Sequence, residues 1–194
     1  MKIQLFPSVP SCLRPLALLS LSLAPLAAVQ GQCEEVREIE SPDPYGWFGL
    51  SVSGAGDLNG DGLSDLLVGA PYASPGGIPE AGVVFAFSGA DGSVLLAIPG
   101  LSFGEGFGRS VAPAGDVDGD AVPDLIAGAA YASSKGRASV HSGASGALLL
   151  SFLGKKRSDF GWSVAGAGDV NGDGRGDFLV GAPYFGVGGK GFAS

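Results

Sequence analysis

The 194-residue sequence is poor in charge, cysteine and histidine. Only 15% of its residues are charged, against about a quarter in an ordinary soluble domain. Nineteen are acidic and 11 basic, giving a net charge of −8. Without a basic excess the chain has no electrostatic footprint for nucleic acid. A solvated disordered tail is excluded too, because it needs low hydrophobicity and high charge. Here 45% of residues are hydrophobic and the mean hydropathy is +0.32. His141 is the single histidine, and nothing places it with a serine and an acid as a hydrolytic triad requires. No G-x-x-x-x-G-K-[ST] loop is present to cradle a phosphate. The sequence therefore carries no catalytic constellation, and a non-enzyme is expected. No apolar run reaches the roughly 20 residues that a membrane-spanning helix needs, so no transmembrane segment is expected.

Glycine (35) and proline (13) are abundant, together about a quarter of the chain. The glycines do not fall on every third residue, which excludes a collagen. A helix bundle is disfavoured, since each interior glycine costs roughly 1 kcal/mol relative to alanine. The composition points to a turn-rich β protein with many short strands.

The first 31 residues differ from the rest. Lys2 and Arg14 are the only charges before Glu34, and Leu16 to Val29 is a short apolar stretch. A basic start, a short apolar core and small residues after it read as a secretory signal peptide cleaved after Gly31. Cys12 would leave with it, so Cys33 would be single and no internal disulfide could form. Cys33 is either an unpaired thiol near a chain end or a lipid-anchor cysteine. A secreted or cell-surface location follows from this reading.

The remainder is organised by a repeat. Phe48-Gly49, Phe107-Gly108 and Phe160-Gly161 lie 59 and then 53 residues apart. Each is followed by Ser-Val two residues on, by an acidic loop, and by an apolar strand. These strands end in Gly69-Ala70-Pro71-Tyr72, Gly128-Ala129-Ala130-Tyr131 and Gly181-Ala182-Pro183-Tyr184. Four strands are expected per full repeat, in the first near 51–55, 65–69, 83–88 and 93–98. Gly89-Ala90-Asp91-Gly92 is a hairpin signal between the last two. Leu66-Leu67-Val68 and Val83-Val84-Phe85-Ala86-Phe87 are continuously apolar, so these sheets should be covered on both faces. Four-stranded sheets stacked at such a period describe a β-propeller.

The motifs Phe48-Gly49 with Gly69-Ala70-Pro71, and Phe160-Gly161 with Gly181-Ala182-Pro183, resemble the FG-GAP repeat family, best known from the propeller of integrin alpha subunits. The middle repeat departs at Gly128-Ala129-Ala130. The resemblance covers residues 45 to 194. It implies an all-β fold of FG-GAP-type propeller blades, about two and a half four-stranded blades in an incomplete ring. The expected organisation is a signal peptide at 1–31, an N-terminal segment at 32–45, and repeats at 46–104, 105–157 and 158–194, the last truncated. Glu34 to Glu40 is a candidate ring-closing strand. The missing blades would come from further chain or from self-association.

Each repeat carries the acidic pattern D-x-[DN]-x-D-x-x-x-D. Its members are Asp57, Asn59, Asp61 and Asp65, then Asp116, Asp118, Asp120 and Asp124, then Asp169, Asn171, Asp173 and Asp177. Ten of the 19 acids thus sit in three short loops. Hard oxygen donors on alternate residues suit calcium, which takes six to eight oxygens at about 2.3–2.6 Å. The seventh residues, Leu63, Val122 and Arg175, would offer a backbone carbonyl, giving up to three calcium sites. Gly62 and Gly174 permit the turn at the sixth position. Ala121 stands there in the second loop, where a positive φ would cost something like 1 kcal/mol and weaken the site. An EF-hand or a dockerin needs an acid at position 12, where this chain has Val68, Ala127 and Val180. The alternative is an acidic turn without metal.

Three further signals have plain readings. Arg175-Gly176-Asp177 contains the ninth loop position, so Asp177 should point inward. Lys155-Lys156-Arg157 is a solvated loop or a contact for an acidic partner. His141 aligns with Phe87 and should be a strand residue. The expected function is a calcium-stabilised propeller module that binds an extracellular protein or glycan. The alternatives are the scaffold of a larger hydrolase and a purely structural repeat.

Overall fold

A computed structural model describes residues 2–5, 37–41, 46–184 and 192–193. Apart from Lys2–Leu5, the expected signal peptide, its cleavage site and both cysteines lie outside the described residues. Lys2–Leu5 (β1) pairs antiparallel with Arg37–Glu40 (β2). The segment proposed for ring closure thus contains a strand, but its hydrogen-bonded neighbour is β1 where the sequence suggested a last blade. Ile39 of β2 is buried with Phe48, Val68, Phe85 and Phe87, so β2 covers the outer face of the first blade.

That blade is a four-stranded antiparallel meander: β3 (Ser51–Gly56), β4 (Asp65–Ala70), β5 (Val83–Phe87) and β6 (Val94–Pro99). The second repeats it with β7 (Ser110–Gly115), β8 (Asp124–Ala129), β9 (Arg137–His141) and β10 (Leu148–Leu153). The third holds β11 (Ser163–Gly168), β12 (Asp177–Ala182) and β13 (Phe192–Ala193). The described blades do not close a ring. The first-repeat strands match the sequence expectation to within one residue. Among the described residues no helix is long and apolar enough to cross a membrane.

The continuous apolar runs are explained by what lies above and below them. All of β5 and β8 is buried, since each middle strand is pressed between two neighbouring sheets. Leu67, Val84 and Ala86 of the first blade pack on Phe107, Val111, Leu125 and Ala127 of the second. Ala112, Ile126, Ala138 and Val140 of the second pack on Val180, with Val164 and Phe178 beside them. The outermost strand β10 is mostly exposed, as befits a sheet rim.

The glycines of the motif have a geometric cause. The first-strand turn glycines Gly49, Gly108 and Gly161 adopt φ of 84°, 87° and 86°, where a side chain is strained. Their amides donate to the carbonyls of Gly69, Gly128 and Gly181, which ties the FG turn to the GAP corner of its own blade. The corner glycine meets the next blade: a Cβ on Gly69 would lie 1.9 Å from the Gly108 oxygen, and one on Gly128 1.9 Å from the Gly161 oxygen. FG and GAP are thus two halves of one inter-blade joint. The serine after FG completes it, because Val111 N–H donates to Ser51 Oγ at 3.0 Å and Val164 N–H to Ser110 Oγ at 3.0 Å.

One buried ion pair has no counterpart in the sequence reading. Arg137 Nη2, at the start of β9, donates to Glu105 Oε2 at 2.9 Å, and Glu105 is 2% exposed. Glu105 Oε1 accepts the amides of Leu101 and Ser102. The pair fastens the linker entering the second blade to the middle of that blade.

Candidate metal centre

Each acidic loop joins the first two strands of its blade and starts at a register shift, between Gly54/Gly56, Pro113/Gly115 and Gly166/Gly168. The loop residue at position 1 gathers amides. Asp57 Oδ1 accepts Gly60 N–H at 2.7 Å and Asp61 N–H at 3.1 Å, while Oδ2 accepts Gly62 N–H at 2.8 Å. Asp116 accepts Gly119 and Ala121 amides at 2.7 and 2.9 Å. Asp169 accepts Gly172, Asp173 and Gly174 amides at 2.7, 3.1 and 2.9 Å. The amide of the sixth loop residue, Gly62 or Gly174, is the main reason that the Asp57 and Asp169 carboxyls lie below their usual value. Both are therefore ionised donors at neutral pH.

Position 3 repeats the pattern: Asn59, Asp118 and Asn171 accept the amides of Asp61, Asp120 and Asp173 at 3.0, 3.1 and 2.8 Å. Asp61, Asp120 and Asp173 accept the amides of Leu63, Val122 and Arg175 at 2.8, 2.8 and 2.9 Å, which sets the seventh residue in the turn. In the second loop one oxygen each from Asp116, Asp118 and Asp120 lies within 4.8 Å of the others. That span is about twice a calcium–oxygen bond of 2.3–2.6 Å, so the three can face one ion. The donor set is all-oxygen and anionic, and it fits a hard cation. In the first loop Asn59 Nδ2 donates to Asp61 Oδ2 at 2.9 Å.

Position 9 is a different kind of residue. Asp65 and Asp124 are fully buried. Asp65 Oδ2 accepts Leu58 N–H at 2.7 Å and Oδ1 accepts Gly89 N–H at 3.0 Å. Asp124 does the same with Val117 at 2.7 Å and Gly143 at 3.0 Å. Each carboxylate pins the acidic loop to the turn between the two outer strands of its blade. Burial pushes the Asp124 carboxyl up, against the amides of Val117 and Gly143 that pull it down. Asp177 Oδ2 accepts the amides of Val170 and Asn171 at 2.8 and 3.3 Å, so it is directed into its own loop. The hairpin contact escaped the sequence reading, although the recurrence of Ser88-Gly89 as Ser142-Gly143 was its signal. Ala121 has φ 69°, beside 85° at Gly62 and 84° at Gly174, so the second loop does require the left-handed conformation.

The remaining signals resolve simply. His141 ends β9, 5.6 Å from the Phe107 ring, with its nitrogens on the Gly146 carbonyl and Ser139 Oγ. Lys155, Lys156 and Arg157 are exposed in the turn before the third repeat. At the FG/GAP end of the blades, opposite the acidic loops, rings gather across repeats. Trp47 meets Tyr72 at 4.8 Å, and Trp162 meets both Tyr131 and Tyr184 at 6.3 Å. The Arg109 guanidinium lies 3.7 Å from the Trp162 ring centre and 5.5 Å from that of Tyr131. Trp47 and Tyr184 are each 57% exposed.

Stacked antiparallel blades with an acidic loop between the two inner strands define a β-propeller repeat protein. The chain belongs to the FG-GAP repeat family, whose model matches residues 48–87, 107–141 and 160–194. It is 35% identical over 159 residues to integrin alpha-5 of Xenopus laevis, covering 73% of this chain and 15% of that protein. It is 32% identical over 190 residues to human integrin alpha-IIb, covering 84% of this chain and 17% of the relative. The integrin alpha pat-2 of Caenorhabditis elegans is 41% identical over 95 residues, 45% of this chain and 8% of that protein. The chain thus spans about a sixth or less of the length of these relatives.

Proposed function

We propose that the chain is a secreted or cell-surface propeller module for adhesion or protein interaction, with calcium in its acidic loops as a structural ion. The observation that carries the metal reading is the convergence of Asp116, Asp118 and Asp120 oxygens within 4.8 Å. Three carboxylates that close repel one another unless a cation lies between them. Asp116, Asp118 and Asp120, with the first, third and fifth residues of the other loops, would hold the ion. Val122, Leu63 and Arg175 would add a carbonyl each, and Asp65, Asp124 and Asp177 would close the shell from beneath.

The topology argues for a structural rather than a ligand-bridging ion. The acidic loops lie at one end of each inner hairpin and the exposed aromatic rings at the other. A protein or glycan partner meeting Trp47, Tyr131 or Tyr184 would not touch the ion. Bound calcium would neutralise the loop and fasten it to the hairpin turn through Asp65 or Asp124. The relatives are named integrin alpha chains, which favours adhesion as the role of the whole protein. Terbium luminescence on the purified chain, displaced by calcium, tests the metal reading. Luminescence that saturates and is competed below millimolar calcium supports it. No binding at millimolar calcium, within the range of extracellular modules, overturns it.

A further inference from the structure

The first two residues of Arg175-Gly176-Asp177 reach across to the second loop. Arg175 Nη1 leaves the third loop and donates to the Val117 carbonyl of the second at 2.8 Å. The Gly176 amide donates to the Asp116 carbonyl at 3.3 Å. The fit is close, since a Cβ on Gly176 would lie 2.1 Å from the Ala114 oxygen. Asp177 is turned back on Val170 and Asn171. Arg175 is exposed, yet it directs one guanidinium donor onto the neighbouring loop.

The two residues gripped by this strap are well chosen. Asp116 is one of the three converging carboxylates of the second loop, and Val117 stands between Asp116 and Asp118. Val117 is held at both ends of its peptide environment: its amide by Asp124 and its carbonyl by Arg175. On the other side, Arg175 is the seventh residue of the third loop, with its amide on Asp173. Any change that orders the third loop fixes the backbone of Arg175, and so steadies Val117. The junction between the first and second loops differs, because there the seventh residue is Val122, whose apolar side chain packs against the cluster containing Leu58 and can donate no hydrogen bond.

Resting on the reading of these loops as cation sites, we propose that Arg175 and Gly176 form a strap that couples cation binding in the third loop to cation binding in the second. Arg175 acts as a positioning residue: its side chain touches the backbone of the neighbouring loop. A cation in either loop restricts the strap, and the other loop then binds in a more ordered state. Linkage requires the effect to be equal in both directions.

Calcium calorimetry on the full chain tests this, with Asp61→Ala throughout to silence the first loop. Adding Asp173→Ala to empty the third loop should weaken calcium at the second by about five-fold, the lower range of coupling between sites. Adding Asp120→Ala instead should weaken the third loop by the same factor. Arg175→Met keeps the aliphatic stem and removes the donor, and it should abolish both differences. Circular dichroism on each variant should show the same β signal, since Arg175 is exposed. Two loops that bind with the same affinity whether or not the other is emptied overturn the coupling while leaving the metal reading intact. Coupling that survives Arg175→Met overturns the strap. An unsubstituted chain that takes up no calcium overturns the metal reading, and the strap with it.

Discussion

Arg137→Met is the sharpest test of how the blades are fixed to their linkers. The wild-type pair joins Arg137 Nη2 to Glu105 Oε2 at 2.9 Å, with 15% and 3% of the two side chains exposed. Solvent screening is weak at that burial. Removing the guanidinium leaves the Glu105 carboxylate with the Leu101 and Ser102 amides as its remaining partners. Breaking a buried pair in this way costs about 3–5 kcal/mol, because an uncompensated charge stays inside. A domain has only about 5–15 kcal/mol of stability in total. At roughly 2–4 °C per kcal/mol for a chain of this size, Tm should fall by about 6–20 °C. The companion Glu105→Leu with Arg137→Met removes both charges next to Phe107, over whose ring Arg137 sits at 5.9 Å. It should recover most of the loss. Thermal unfolding followed by circular dichroism at fixed calcium reads both. A drop below about 2 °C for the single variant would mean that the pair behaves like a screened surface bridge. A double variant no more stable than Arg137→Met would show that the cost lies in lost packing and not in a stranded charge.

Gly128→Ala would place a methyl 1.9 Å from the Gly161 carbonyl oxygen and should cost at least about 3 kcal/mol, read as a lower urea midpoint, because backbone stands in its way. Ala121→Gly should stabilise the chain by about 1 kcal/mol by relieving the φ of 69°, and should tighten terbium at the second loop; an unchanged or lower Tm would count against the strain. His141 sits below the usual histidine value of 6.5, because burial disfavours its charged form. The unfolded chain takes up that proton near pH 6.5 and the folded chain only at lower pH. This contribution to stability is therefore complete above about pH 6.5 and is lost as the pH falls below it. His141→Phe, which copies Phe87 of the first blade, should flatten the change in urea midpoint between pH 7.5 and pH 5, and an undiminished slope would assign it to other groups.

The two ends of the blade divide the work. At one end acidic loops hold oxygen donors against backbone amides. At the other, aromatic rings gather across neighbouring repeats, with Trp47, Tyr131 and Tyr184 exposed and Arg109 half-buried against Trp162. Between them, the second strand of the central blade, β8, is buried along its whole length.

The sequence alone determined the parts that depend on neighbours along the chain. The strands, the FG and GAP corners and the acidic loops were legible because each is set by residues within about ten positions: apolar runs, turn glycines, alternating carboxylates. Asp57 reaching Gly62, or Asp173 receiving the amide of Arg175, is local chemistry. Tertiary structure decided what those parts touch. Asp65 is pinned to Gly89, 24 residues away, and Glu105 to Arg137, 32 residues away. Arg175 meets Val117 across 58 residues. The first two pairs join segments of one repeat and form when its own strands fold together; only Arg175 and Val117 need one blade stacked on the next. Folding of each blade also gave position 9, a metal ligand on the sequence pattern, a second task in the first two repeats, as a buried anchor between loop and hairpin. Stacking alone brought Arg175 to its carbonyl partner, which lies on the adjoining blade.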